Sequence, residues 1–344
     1  MTKMLRANLI NPQEFRLEEV ERPVPGPGEV LIDVKLCGIC GSDIHAYHGV
    51  HAFIHCPIVL GHEFVGDVAA VGPDVTEFSP GQKVVVEPNL VCGECYNCRN
   101  GRYNVCLNLK VIGCQDTGAY AQSIVVPTDK VLPVPEDLSY DRAVLVEPLA
   151  VGVHAIHRSG MKAGDRVVIF GVGPIGLLTL VAAKSMGAGK VLAVDVIDSR
   201  LELAQRFGAD TVCNSTRDNL EEVIVREFGP ERADLHFECS AAPQALNQAI
   251  DLARKGLTIV QVGCFGPPVT INNLSYVQEH ELSIIGTMMY MKSDYQEAID
   301  ILYSADLPFE ELITHRFPLQ DVAKAFQMLD EEKERVIKAV LEIG

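Results

Sequence analysis

The sequence predicts an α/β chain of two domains, one β-rich and one a doubly wound parallel sheet, and three observations carry that prediction. Up to about residue 148, short alternating runs such as Val30-Ile32-Val34-Leu36 and Val84-Val86 are broken by Pro-Gly-Pro-Gly at 25–28 and Ser-Pro-Gly at 79–81. That is the texture of strands joined by long loops. From about residue 163, apolar strands at Arg166 to Phe170, Val191 to Val194, Leu235 to Glu238 and Leu257 to Val262 alternate with amphipathic stretches, as a parallel sheet with crossover helices requires. The length of 344 residues, 48% of them hydrophobic, suits two domains with sizeable cores.

Composition excludes several classes of function. A net charge of −17 repels phosphate backbones, so no nucleic-acid partner is expected. No apolar run reaches membrane-spanning length without charge, Gly or Pro interrupting it, so the chain is expected to be soluble and without a membrane partner. The N-terminus has no signal-peptide pattern and the 11 cysteines are odd in number, which argues against an oxidised secreted framework and makes cytoplasmic residence the expectation. No repeat or low-complexity tract is visible.

Within the β-rich region, Cys40 is followed some twenty residues later by His62-Glu63, inside Gly-His-Glu-Phe-Val-Gly. Thiolate plus imidazole suits zinc, and three protein ligands leave a coordination position open for a substrate whose hydroxyl becomes acidic. Taken singly, Cys40 also reads as a small core hydrophobe and His62-Glu63 as a solvated loop. A second signature follows at Cys92, Cys95, Cys98 and Cys106, spaced C-x2-C-x2-C-x7-C with Gly93 and Gly101 letting the chain wrap a small ion. Four thiolates make a closed structural zinc site. Two disulfides or an iron–sulfur cluster are the competing readings, and the long last interval without Cys-Pro favours zinc.

The second region opens with Gly171-Val172-Gly173-Pro174-Ile175-Gly176, directly after the strand Val167 to Phe170 and before a helix from Leu177 to Met186. Strand, glycine turn and helix in that order place a pyrophosphate at a helix N-terminus. The next strand ends at Asp195, whose carboxylate can accept both ribose hydroxyls of NAD and repel the 2′-phosphate of NADP. Arg200, five residues on, reads either as a contact to adenine or phosphate or as a surface helix charge.

A metal that acidifies an alcohol and a nicotinamide that takes a hydride together suggest an alcohol dehydrogenase reaction. Ser42 and His45, two and five residues after Cys40, can carry the proton away, a hydroxyl first and an imidazole nearer the surface. Ser42 equally suits capping a short helix over Asp43 to Tyr47. Asp43 can orient a metal-bound imidazole.

These residues resemble the zinc-containing medium-chain alcohol dehydrogenase family over essentially the whole chain. The match rests on Gly61-His62-Glu63-x2-Gly66-x5-Gly72-x2-Val75, the four-cysteine lobe at 92–106 and the turn at 171–176. Cys-Gly-Ile-Cys-Gly-Ser-Asp-Ile-His at 37–45 and Val146-Glu147-Pro148-Leu149-Ala150 are most similar to the polyol and sugar-acid branch, with sorbitol dehydrogenases among its members. The resemblance implies a GroES-like catalytic domain from residues 1–148 and 290–344 around a Rossmann NAD-binding domain at 149–289. It also implies a homo-oligomer, dimer or tetramer, acting on a small-molecule alcohol.

Carried over by motif, Cys40, His62 and Glu63 hold the catalytic zinc, and Glu147 is either a fourth ligand or a partner of the bound water. Ile175, Asp195, Arg200, Val262, Gly263 and Cys264 surround NAD. Two positions depart from sorbitol dehydrogenases, where an aromatic residue and an arginine stand in place of Ala46 and Met289. Tyr47 and Tyr290 remain available to line the substrate pocket beside Glu147. The loop Gln115-Asp116-Thr117-Gly118-Ala119 resembles that of threonine and sugar-acid dehydrogenases, so L-threonine 3-dehydrogenase-like activity stays open.

Other residues have plainer readings. His48, His51 and His55 lie in a variable Gly-containing loop. Cys37, Cys56, Cys114, Cys213, Cys239 and Cys264 lack metal spacing and read as core fillers. Met288, Met289 and Met291 suit a pocket wall or an interface, an exposed strand near 282–287 suits pairing across a dimer, and Asp330-Glu331-Glu332 with Lys333 suits a solvated helix face. Two further hypotheses stand beside the dehydrogenase: a zinc-independent quinone or enoyl reductase on the same fold, and a catalytically silent binder that keeps the nucleotide domain alone.

Overall fold

The computed structural model describes residues 2–266, 268–332 and 334–344, and Lys333 of the charged helix face lies outside them. Compactness divides the chain into two units. The first is Met1–Glu147 with Met291–Ser304 and Phe309–Gly344, the second Pro148–Tyr290 with Ala305–Pro308. Ala305–Pro308, expected with the returning C-terminal part, thus clusters with the second unit.

The first unit is built on a seven-stranded sheet whose order runs Ile313–Pro318, Lys338–Glu342, Glu29–Ile39, Glu63–Val71, Lys83–Val86 and Val131–Pro133, with Ser123–Pro127 also pairing Glu29–Ile39. Alternation along Glu29–Ile39 sends Val30, Ile32 and Val34 into a core shared with Phe64, Val68, Val84, Val86, Tyr120 and Phe326. The register sets the site. Gly38 faces Glu63 on one neighbouring strand and Val340 on the other, so the strand entering Cys40, the strand leaving His62 and the C-terminal strand meet at one end. The helix Gly41–Tyr47 starts there with Cys40 as its N-cap. Ser42 is therefore inside the first turn rather than at the cap. Asp43 takes the capping role instead, its carboxylate accepting the Cys40 N–H at 2.9 Å.

The second unit is a six-stranded, all-parallel sheet in the order Thr211–Asn214, Lys190–Asp195, Arg166–Phe170, Leu235–Glu238, Thr258–Gln261, Ser283–Gly286. Strand order reverses between Arg166–Phe170 and Leu235–Glu238, the position at which such sheets bind ligands beyond their carboxyl ends. The helix expected from Leu177 begins earlier, at Pro174, because proline's fixed φ suits the first helical turn. The edge strand Ser283–Gly286 leaves Ile284 38% exposed.

A histidine sits in the middle of this sheet. His236 is fully buried, one ring nitrogen 2.9 Å from the Ala249 carbonyl and the ring edge-on to Phe170. Burial pushes its pKa from 6.5 down to about 4. The folded state therefore refuses a proton that the unfolded chain accepts, and stability present above pH 6.5 is lost as pH falls from 6.5 toward 4. The loss amounts to about 3 kcal/mol at about 1.4 kcal/mol per pKa unit. Urea unfolding of His236→Phe should show a pH dependence smaller by that amount than the parent's; equal slopes would refute the role of this ring.

Candidate active site and dinucleotide site

Cys40, His62 and Glu63 come together as the sequence expected, with Sγ, an imidazole nitrogen and a carboxylate oxygen all within 4.8 Å of one another. His62 and Glu63 are buried and Cys40 is half-buried. Behind them lies a shell of fixed groups. Asp43 Oδ1 is 3.6 Å from His62 Nδ1, while Asp43 Oδ2 accepts the Cys40 N–H and, at 3.0 Å, the Tyr120 hydroxyl. That arrangement sets the Asp43 carboxylate beside His62 Nδ1, beyond hydrogen-bond distance but close enough for its charge to act on the ring.

Glu63 is ion-paired to Lys338, which also donates to the Ile39 carbonyl at 3.2 Å. Both side chains are almost wholly buried. Gly38 makes the pair possible, because a Cβ there would stand 2.1 Å from Glu63 Oε2 and 3.0 Å from Lys338 Cε. Electrostatics favour positive charge throughout. Burial opposes protonation of His62, yet the Asp43 carboxylate, with Cys114 and Cys40 adding to it, holds the imidazole well above its ordinary range. Burial likewise opposes charge on Lys338, and Glu63 and Cys40 outweigh it. A sulfur, a nitrogen and an oxygen donor inside such a field fit zinc.

Glu147, at the start of the helix Val146–Ser159, is buried near enough for its charge to act on Lys338 and Tyr295, but it is not part of the 4.8 Å group. Ser42 and His45 lie three residues apart on one helix, Ser42 half-buried and His45 exposed. Tyr47 corrects a sequence expectation. Its ring is 5% exposed, stacked 5.7 Å from Phe15 and packed 5.0 Å from Phe326, because helix alternation points it into the core rather than toward a ligand. Tyr290 is fully buried as well and presents no surface to a substrate.

The four-cysteine lobe has the dimensions of a single ion. Sγ separations are 3.4 Å for Cys95–Cys98, 3.5 Å for Cys92–Cys106, 3.9 Å for Cys95–Cys106 and 4.0 Å for Cys92–Cys98. A tetrahedron with zinc–sulfur bonds of 2.3 Å has edges of about 3.8 Å. Disulfides, at roughly 2.05 Å, are ruled out, and four irons with their sulfides do not fit between sulfurs this close. Backbone N–H groups of Cys98 and then Leu107 lower the pKa of the Cys95 thiol, while burial and the neighbouring thiols push that of Cys98 up.

In the second unit, Gly171, Gly173, Pro174, Asp195 and Arg200 line one cavity of about 600 Å³, with Ser215, Thr216, Ser240 and Gln248 on its other walls. Gly176 packs against the turn from inside, where a Cβ would meet the Gly171 carbonyl at 1.8 Å. Asp195 accepts the N–H of Val172 at 2.8 Å, of Val196 at 2.7 Å and of Ile197 at 3.0 Å. These bonds fix the carboxylate and still leave acceptor capacity for a ribose, since a carboxylate offers about four lone-pair sites. Arg200 lies over the turn, with Nη1 3.9 Å from where a Gly173 side chain would start, and lines the same cavity from the helix Asp198–Arg206. Ile175, Val262, Gly263 and Cys264 do not line this cavity. Val262 and Gly263 instead bond through their N–H groups to the Glu238 carbonyl. Cys264 is exposed and not a core filler.

Sequence reasoning missed Lys338, Tyr120 and Cys114. Cys114 Sγ lies 3.9 Å from His62 Nδ1. Nothing in their spacing marks them, since Lys338 and Tyr120 are separated from the ligands by long stretches of chain. Asp330 also leaves the solvated-face reading, because it pairs with His48 at 2.9 Å.

Known proteins resemble the chain over nearly its whole length. Residues 26–136 match the alcohol dehydrogenase GroES-like domain and residues 174–304 the zinc-binding dehydrogenase domain. The sorbitol dehydrogenase of Bacillus subtilis is 34% identical over 98% of this chain and 97% of its own length. The 2-dehydro-3-deoxy-L-galactonate 5-dehydrogenase of Pseudoalteromonas atlantica is 36% identical over 95% of each. An alcohol dehydrogenase from E. coli CFT073, solved with NADH, superposes with a TM-score of 0.91 at 33% identity, covering 99% of this chain and 100% of that one.

The two metal-binding clusters make separable predictions. Cys40→Ser and Cys95→Ser should each lose one zinc equivalent by elemental analysis. The first should keep its melting temperature and NAD binding while losing turnover; the second should unfold at lower temperature. A Cys95→Ser protein that is fully stable but inactive would contradict this division.

Proposed function

The chain belongs to the zinc-binding alcohol dehydrogenase family, and we propose that it oxidises a secondary alcohol of the polyol or sugar-acid kind to a ketone with NAD as hydride acceptor. The observation that carries this reading is the buried S, N and O donor set of Cys40, His62 and Glu63, in a chain whose other unit holds a dinucleotide cavity around Asp195. When bound, zinc supplies Lewis acidity to the substrate hydroxyl, and the nicotinamide supplies the hydride acceptor.

The chain's own residues do the rest. Cys40, His62 and Glu63 hold the metal, with Glu147 as a further ligand or as the acceptor for water beside it. Asp43, itself fixed by the Tyr120 hydroxyl, sets a negative charge beside His62. Ser42 accepts the proton that the alcohol loses, and His45, exposed one helical turn on, passes it to solvent. Gly171, Gly173 and Pro174 leave room for the pyrophosphate at a helix N-terminus, Asp195 and Arg200 take the adenosine end, and Ile175, Val262, Gly263 and Cys264 complete the cofactor contacts. Overall one C–H hydride goes to NAD and one O–H proton to water.

The zinc-independent reductase and silent-binder readings are not favoured, because all three donors of the catalytic set are present. An L-threonine 3-dehydrogenase-like activity, read from the loop 115–119, is likewise not favoured, since the similar proteins include sorbitol and sugar-acid dehydrogenases. We place the protein in the cytoplasm, in keeping with eleven free thiols; no helix among the described residues is long and apolar enough to cross a membrane. A homo-oligomer, dimer or tetramer, is in keeping with the exposed edge strand Ser283–Gly286.

NADH formation by zinc-loaded protein against a panel of polyols, aldonates, inositols and L-threonine tests the reading. Turnover should appear with one polyol or sugar-acid class and vanish after chelation of zinc. Silence across the panel would sink it.

A further inference from the structure

One cation is sealed against the metal ligands, and the mechanism gives it no task. Lys338, at the start of the strand Lys338–Glu342, has a side chain only 5% exposed, and its ammonium pairs with Glu63 Oε2 on a side chain 1% exposed. The same ammonium donates to the carbonyl of Ile39 at 3.2 Å, one residue before Cys40. Lys338 is thereby tied both to the strand that leads into Cys40 and to the strand that begins at Glu63. Register keeps it there, since the next residue, Ala339, faces Ile39 across an antiparallel pairing.

Stability alone gives no reason for such a pair. Two charges taken out of water lose their hydration, and well-packed apolar residues in place of a buried ion pair are often neutral or stabilising. The position of this pair supplies a reason. Glu63 is one of the three donors gathered within 4.8 Å, so the carboxylate that completes the metal-binding set is the one Lys338 engages. A carboxylate that shares its charge with an ammonium is a weaker donor to a cation than a free one, and the ammonium itself stands against a second positive charge close by.

We infer that Lys338 is a positioning residue of the metal site, one that weakens the bond Glu63 makes to the metal and so sets the site's metal affinity. The inference rests on the metal reading of Cys40, His62 and Glu63 above. With Lys338 in place, Glu63 quenches less of the cation's charge, and more Lewis acidity is left for a substrate oxygen. Affinity is lower as a result.

Lys338→Met removes the charge at similar length, and Lys338→Gln removes it while keeping a donor for the Ile39 carbonyl. Parent and variants would carry zinc in the four-cysteine lobe and cobalt at Cys40, His62 and Glu63, and the cobalt absorption bands would be followed during titration with a chelator, without alcohol or NAD. Both variants should hold cobalt about tenfold more tightly than the parent, with displaced bands as Glu63 binds harder. A lysine that only joins the strands predicts the reverse, a lower melting temperature with unchanged or weaker metal binding, and that result overturns the inference. Where a variant folds only with metal, its melting temperature against free cobalt gives the same affinity; two variants that stay unfolded even then make Lys338 a structural residue and overturn it too. A parent that takes up no metal beyond the four-cysteine ion ends the metal reading, whereas a parent that binds cobalt as tightly as both variants ends the Lys338 inference alone.

Discussion

Four acidic or potentially anionic groups, Asp43, Glu63, Cys40 and Glu147, are gathered at one end of the first unit's sheet, and such a cluster is tolerable away from water only with positive charge among its members. Lys338 supplies part of it from the last strand of the chain, and a divalent cation held by Cys40, His62 and Glu63 would supply more. Removing one partner of a buried pair typically costs about 3–5 kcal/mol. Much of the local backbone follows from this requirement. Gly38 must be bare to admit the pair, the C-terminal strand must return beside Glu29–Ile39, and Asp43 must cap the helix that begins at Cys40.

The second unit solves a different electrostatic problem, the binding of a dianionic pyrophosphate without a dedicated cluster of cations. Its glycine turn exposes a helix N-terminus, and Asp195 ties the turn to the following strand through the Val172 N–H. The same carboxylate that braces the turn also lines the cavity. Arg200 brings a positive charge close over Gly173 on the wall of the same cavity.

Much of this was legible in the chain. Spacing alone identified Cys92, Cys95, Cys98 and Cys106, since metal ligands close together in sequence leave a short-range signature. Period-2 and helical alternation located the parallel strands to within a residue or two at Arg166–Phe170 and Leu235–Glu238. The same local signals left Ser42 open as a cap beside its relay role and offered Tyr47 as a pocket residue. In both cases the direction of a side chain depends on where the helix starts and on which face packs against Phe15 and Phe326, and those contacts come from distant segments.

The sequence by itself determined the ligand types, the glycine turn and the alternation of strands and helices, because each is a property of residues within a few tens of positions of one another. Tertiary structure alone decided that Lys338 pairs with Glu63, that Asp43 lies beside His62 while accepting from Tyr120, and that the His51 Nδ1 accepts two backbone N–H groups. Each of those outcomes is set by sheet register, loop closure or a backbone N–H that points at a side chain only once the chain has folded. Charge compensation in a buried site acts through space, and sequence order does not encode the distances over which it acts.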